Sequence, residues 1–415
     1  MPIRTRNYVD ELRGAARLAV AATCGVTDVV EAMHHAIGGG PERLGRPLAG
    51  ATRLFTSPVY GTIRGVTAWV GAAVDRALAE LAALVGDGGS AAERAAIVAV
   101  LNGIVGDYLA ASGNPLAIEM QVRHGAAAGG KLLVLVHGSC NDERSWQRRG
   151  EDYGAALARE LGYTPIYVRY NSGLHISDNG RALAERLDAL LAGWPVAVEE
   201  LAIVGHSMGG LVARSACHAG EAAGQAWRRV LRSLVCIGSP HHGALLEKSG
   251  NCVDQLLGAN RYSAPLARLG MIRSAGVTDL RFGSVLDDDW RGRDRFARGA
   301  DPRRPLPLPA DVACYAIAGT TAPAPRGERL PGDGLVSIDS ALGRHREPAR
   351  TLAFGESRRF IAYATGHLDL LSSAEVYATL RDWLARRTTT TASTSAKAMA
   401  NQPSPAAAAP PIAQP

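Results

Sequence analysis

Residues 201–214 read LAIVGHSMGGLVAR, an apolar run that stops at Gly205-His206-Ser207-Met208-Gly209 and restarts as a helix-forming segment. A strand that breaks at G-x-S-x-G and turns into a helix predicts a nucleophile elbow, in which a serine hydroxyl is presented on a strained turn. The two glycines have a physical reason: only a missing Cβ at 205 and 209 lets the neighbouring backbones approach closely enough. A third glycine, Gly210, extends the small surface.

Further β-rich runs flank this one at Leu132–Val136, Pro165–Arg169, Leu231–Ile237, Val312–Ala318 and Arg359–Ala362, with helical patterns over Gly150–Leu161, Asn179–Ala192, Met208–Ala219 and Ser372–Arg386. Strand–helix alternation predicts a mainly parallel sheet covered by helices on both faces. The stretch of some seventy residues between Ile237 and Val312 predicts a lid-like insertion, about 244–310, over the C-terminal edge of the sheet. Within it, Arg281–Arg304 reads as a solvated loop. Residues 1–115 form a helical N-terminal region, because apolar residues recur at three- and four-residue spacing in Val9, Leu12, Ala16 and again in Val66, Val70, Val74. The catalytic domain then spans 116–387. From Thr388 the chain is Thr, Ala, Ser and Pro with nothing to bury, which predicts a disordered tail over 388–415.

The 415 residues are 47% hydrophobic and 20% charged, enough apolar material for a large core. A net charge of +6 with no basic run longer than two residues argues against a nucleic-acid partner. Six singly spaced cysteines with no CxxC pattern predict a reducing compartment and no disulfide framework. The N-terminus shows no secretory signal peptide, so a cytoplasmic location is expected. The uncharged runs Arg64–Asp75 and Arg94–Asp107 fall short of the roughly 20 residues that span a bilayer, so no transmembrane helix is expected. The apolar stripe over Ile63–Leu84 reads first as a core-facing helix and second as a peripheral membrane contact. Oligomeric state is not encoded in any of these patterns.

A serine hydroxyl is a weak nucleophile at neutral pH, so an elbow requires an imidazole to accept its proton and a carboxylate to orient that imidazole. In chain order these follow as Ser, Asp/Glu, His. His367, directly after the last predicted strand in Phe360-Ile-Ala-Tyr-Ala-Thr-Gly-His, is the expected base; His345 lies in a charged loop and reads as an ordinary surface histidine. Asp333, between Gly332 and Gly334 after the penultimate strand, is the expected acid, with Asp339 as its competitor. Asp369 is too close to His367 in sequence and is expected to cap the following helix. The oxyanion needs two fixed amides: Met208 N–H, next to the nucleophile, and Ser139 N–H, from the loop after Val134-Leu-Val-His-Gly. His241-His242 has no accompanying ligand cluster and is expected at the site rim or beneath the lid rather than on a metal. Tyr170-Asn171-Ser172-Gly173 is expected to border the cleft.

The segments VHG (Val136–Gly138), YNSGLHISDNG (Tyr170–Gly180), GHSMGG (Gly205–Gly210), GSPHHGA (Gly238–Ala244), GDGLV (Gly332–Val336) and GHLDLL (Gly366–Leu371) together resemble the serine lipases and esterases of the α/β-hydrolase superfamily. Within it the chain resembles the branch of PGAP1-like inositol deacylases and bacterial triacylglycerol lipases. The resemblance covers about Leu116 to Arg386. It implies an α/β-hydrolase fold, a Ser207, Asp333 and His367 triad, and hydrolysis of a carboxylic ester, lipid or another hydrophobic acyl ester, without cofactor or metal. The same triad would serve an acyltransferase, a thioesterase or a polyester depolymerase. A non-catalytic lipid-binding protein on this fold is the alternative from a different class.

Overall fold

The computed structural model describes residues 8–38, single positions between 53 and 72, 91–126, 128–244, 273–297, 299–325 and 330–386. Most of the stretch 63–84, the first half of the expected insertion and the tail from Thr388 lie outside the described residues.

Two long helices come first, α1 (Tyr8–Gly38) and α2 (Ala91–Ala111). Then follow β1 (Gln121–His124), β2 (Lys131–Val136), the two-residue strands β3 (Gln147–Arg148) and β4 (Glu151–Asp152), helix α3 (Tyr153–Leu161), β5 (Thr164–Arg169), α4 (Ile176–Ala192), β6 (Glu200–His206), α5 (Met208–Ala222), β7 (Leu231–Ile237), β8 (Ala313–Gly319) and β9 (Arg359–Ala362). A last helix, α6, covers 374–386. Seven strands form one sheet in the order β1-β5-β2-β6-β7-β8-β9. All neighbours are parallel except β1, which runs antiparallel to β5 at the edge.

The six parallel strands read as apolar runs because both faces of the sheet are covered. Successive residues of β2 divide between two cores: Leu132, Val134 and Val136 pack with α4 and α5, while Leu133 and Leu135 pack with Tyr153, Leu157 and the α6 residues Val376, Leu380 and Leu384. The six parallel strands end at the same edge, so the loops after β2, β6, β7, β8 and β9 gather there. This is the α/β-hydrolase fold.

Two expectations change. Segment 281–304 is not simply solvated: Gly283, Ser284, Val285 and Asp289 are buried, and Ser215 Oγ donates to Val285 O at 2.7 Å. Among the described residues of this segment, Asp288, Arg304 and most of 291–300 are exposed. And one helix among the described residues, Arg94–Ala111 with mean hydropathy 1.4, is long and apolar enough to cross a membrane. Counting uncharged residues alone missed it, because Arg94 and Asp107 fall inside the window. About a third of that window is buried against the rest of the protein.

Candidate active site

Ser207 sits between β6 and α5 with φ 54° and ψ −124°. A non-glycine residue in that region costs on the order of 1–3 kcal/mol and persists only where the surroundings dictate it. Here they do. Ser207 N donates to Ile237 O at 2.8 Å. A methyl group on Gly205 would come within 2.5 Å of Gly210 N, and one on Gly209 within 2.5 Å of His137 O. The α5 N-terminus therefore lies directly on the end of β2, and the chain can only turn there through glycine.

Asp333 and His367 arrive from the loops after β8 and β9. His367 Nδ1 lies 2.7 Å from Asp333 Oδ2, and both residues are buried, at 7% and 4% exposure. A carboxylate only accepts, so Nδ1 carries the hydrogen and Nε2 is left as the basic nitrogen. The other carboxylate oxygen holds its own loop: Asp333 Oδ1 accepts from Leu335 N at 3.0 Å and Val336 N at 2.8 Å. His367 N donates to Asp333 O at 3.0 Å, clasping the two loops together. Gly238, which follows the Ile237 carbonyl that binds Ser207, has His367 Cε1 and Asp333 Oδ2 within 3.4 Å of where a Cβ would be. Ser207 and the His367–Asp333 pair thus lie at the same end of the sheet, on either side of the Ile237–Gly238 turn.

The loop after β2 lies over the elbow, with the Cβ position of Gly138 2.9 Å from Ser207 Cβ. Cys140 N donates to Ser172 Oγ at 3.1 Å. Ser139 N and Met208 N, by contrast, meet no acceptor among the described residues. Below the loop, Tyr170 stacks on His137 at 4.3 Å between ring centroids and donates from its hydroxyl to His137 O at 2.8 Å. Burial pushes the His137 imidazole down to about 4 and His206, which donates from Nε2 to His367 O at 3.1 Å, down to about 3. Both rings are neutral supports.

The other residues singled out from the sequence lie outside this triad. Tyr170, Asn171 and Ser172 are each 1% exposed and serve the loop and helix α2 rather than a cleft. Asp339 is exposed and pairs with Arg344 at 3.7 Å. Asp369 caps no helix: it lies 3.0 Å from Arg149, while Ser373 Oγ accepts from Val376 N at the start of α6. His345 Nδ1 accepts from Glu347 N within its own loop. His241 is fully buried, accepts from Arg214 at 3.3 Å, and lines a cavity of about 140 Å³ with Arg303, Leu306 and Leu352. Among the described residues no group of three His, Cys, Asp or Glu side chains is placed to hold a metal. Sequence reading missed the buttress formed by Cys140, Ser172, Asn171 and α2; a polar run directly after β5, at the same sheet edge as the elbow, was its only signal.

Residues 183–300 match the model of the family described as PGAP1-like alpha/beta domain. No curated protein matches the chain. Among solved structures, the mature form of a lipase from Bacillus licheniformis is 17% identical with a TM-score of 0.38, covering 61% of this chain and 92% of that one. A structure reported for carboxylesterases of the thaumarchaeon Nitrososphaera gargenis is 12% identical with a TM-score of 0.39, covering 65% and 95%. An epoxide hydrolase of Vigna radiata is 12% identical with a TM-score of 0.36, covering 65% and 96%.

Proposed function

We propose that this protein is a serine hydrolase that cleaves carboxylic esters of lipids or other hydrophobic acyl groups through an acyl-enzyme on Ser207. The observation that carries this reading is the 2.7 Å His367–Asp333 contact at the same sheet edge as a serine held at φ 54°. In the reaction, His367 Nε2 takes the proton from Ser207 Oγ as that oxygen bonds to the ester carbonyl carbon. Asp333 stabilises the resulting imidazolium. The carbonyl oxygen becomes an oxyanion, which Met208 N–H and Ser139 N–H receive; such donors contribute a few kcal/mol each, on the order of 10²–10³ in rate. Collapse breaks the bond to the alcohol, which leaves with the proton from His367. Water then repeats the sequence on the acyl-enzyme and releases the acid.

The hydrophobic substrate class rests on the resemblance of the sequence motifs to lipases. Beside the triad, Leu335 and Leu368 are 37% and 39% exposed, and Leu368 shares its pocket with Arg144, Arg148 and Arg149. Replacing Ser207 with Ala should reduce turnover of a chromogenic acyl ester on the order of 10⁶-fold, with thermal unfolding nearly unchanged. A fluorophosphonate should form its adduct on Ser207 of the wild type. Turnover undiminished in the alanine variant overturns the reading.

A further inference from the structure

Helix α2 lies about a hundred residues upstream of the elbow, yet it touches the active-site loop. Its inner face is Val98, Ala99, Asn102, Gly103, Gly106 and Leu109, all buried, while Ile97, Val100, Ile104 and Tyr108 point outward at 42–61% exposure. A Cβ on Gly103 would overlap Cys140 Sγ and stand 2.8 Å from Cys140 Cα and 2.9 Å from Cys140 N. A Cβ on Gly106 would overlap Asn171 Oδ1, and one on Gly173 would come within 2.7 Å of the Gly106 backbone. The helix backbone therefore rests on the backbone of the residue that follows Ser139, and on the segment whose Ser172 holds the Cys140 amide.

Hydrogen bonds fix the contact from both sides. Asn171 Nδ2 donates to Gly106 O at 2.9 Å, Ser274 Oγ to Gly103 O at 2.6 Å, and Ala275 N to Asp107 Oδ2 at 2.9 Å. Between the two glycines the helix is broken at Val105, with φ −135° and ψ 23°, a kink that lets Gly103 and Gly106 face two different loops. Cys140 itself has φ 59°, a conformation that neighbours must impose on a non-glycine residue.

We propose that α2 is a working wall of the catalytic site, in which Gly103 and Gly106 are positioning residues that seat the helix on Cys140 and Asn171 and so hold Ser139 N–H at the oxyanion. The proposal rests on the acyl-enzyme reading. A methyl group at 103 forces the helix and Cys140 apart, and through Cys140 it displaces the Gly138–Ser139 peptide that carries the Ser139 N–H, whereas the substrate's acyl and alcohol contacts stay.

Gly103→Ala should lower kcat for a water-soluble activated ester roughly 10- to 100-fold while KM stays within about twofold, since only the transition state uses the amide. A trifluoromethyl ketone, which forms a tetrahedral adduct on the serine, should lose affinity by the same factor. Hydrogen exchange in a peptide covering 137–142 should accelerate. Ser274→Ala, which removes one bond of the seat without adding bulk, should shift the same readouts in the same direction by less. Gly25→Ala is the control: it too lies in a helix, but nothing approaches its Cβ position within 4 Å, and it should change none of them. If Gly103→Ala lowers only the melting temperature, leaving kcat, ketone affinity and exchange at 137–142 as in the wild type, α2 is mere packing and the proposal is overturned. If the wild type turns over no ester, the acyl-enzyme reading fails on its own account, and exchange at 137–142 still decides whether α2 seats the loop.

Discussion

At the scale of single residues, Asp333 does two things with one carboxylate. Oδ2 faces His367 Nδ1 at 2.7 Å, and Oδ1 accepts from Leu335 N and Val336 N at 3.0 and 2.8 Å. An asparagine retains an oxygen for the loop amides but presents an NH₂ to the imidazole. His367 would then turn its Nδ1 lone pair inward and put its hydrogen on Nε2, where a base is needed. Asp333→Asn should therefore cut kcat on the order of 10³–10⁴-fold with little change in KM or melting temperature. Asp333→Ala should cost stability as well, because two loop amides lose their acceptor. Equal activity in the asparagine variant and the wild type, measured on the same chromogenic ester, would remove Asp333 from the triad. Sequence order alone placed this aspartate after the penultimate strand; its second duty could not be read there, since it depends on the loop doubling back so that Val336 N meets Asp333 Oδ1.

Among the elements, the six parallel strands were legible because burial on both faces demands continuous apolar runs, and β7 and β9 have the predicted ends. Strand β1 was not. Gln121-Val-Arg-His has one apolar residue, and it is a strand because it pairs with β5 at the sheet edge, from Gln121 opposite Arg169 to His124 opposite Ile166. The seat of α2 was equally hidden: its apolar spacing announces a helix, but not which neighbours it meets, up to 171 residues away in the chain. One buried side chain joins these two unread features. Asn102, 0% exposed, donates from Nδ2 to Leu116 O at 2.7 Å and Val98 O at 2.8 Å and accepts at Oδ1 from Ile118 N at 2.8 Å, so it fastens α2 to the chain entering β1. Asn102→Ala leaves a buried carbonyl and amide without partners, which should lower the unfolding free energy by about 2–4 kcal/mol. Urea denaturation measures it directly. A loss under about 0.5 kcal/mol, the range of ordinary surface substitutions, would mean that α2 is not tied to the sheet through this residue.

For the molecule as a whole, the sheet end that carries Ser207 is supported by imidazoles that the fold keeps neutral, and this sets how stability depends on pH. His137 and His206 are both 0% exposed, and burial holds them down to about 4 and about 3 in the folded state. In the unfolded chain each returns to about 6.5. The folded value is the lower one, so below about pH 6.5 the unfolded state binds protons that the folded state refuses, and stability falls as pH falls. It continues to fall until the pH reaches the folded values near 4 and 3. Each group contributes a slope of about 1.4 kcal/mol per pH unit, so the pair removes about 3 kcal/mol per unit through the window. Over the two units from about pH 6.5 to 4.5 this comes to about 5–6 kcal/mol, the lower end of a typical domain stability of roughly 5–15 kcal/mol. Asp142, Asp287 and Asp301, against the upward push of burial, are held below the ordinary range by arginine partners and titrate further down. Burial also lowers His241 and His242, which add to the same slope, and raises Asp279, which opposes it, so the comparison of a His206 variant with the wild type isolates the share of the His137–His206 pair. Urea midpoints measured from pH 7.5 to 5.0 should be flat above about pH 7 and drop steeply below about pH 6.5. His206→Gln, which can still donate toward His367 O, should roughly halve the contribution of this pair to the slope. Midpoints that stay constant down to pH 5.0 would mean that these imidazoles become protonated inside the fold, and that the support beneath the nucleophile is a charged network rather than a neutral one.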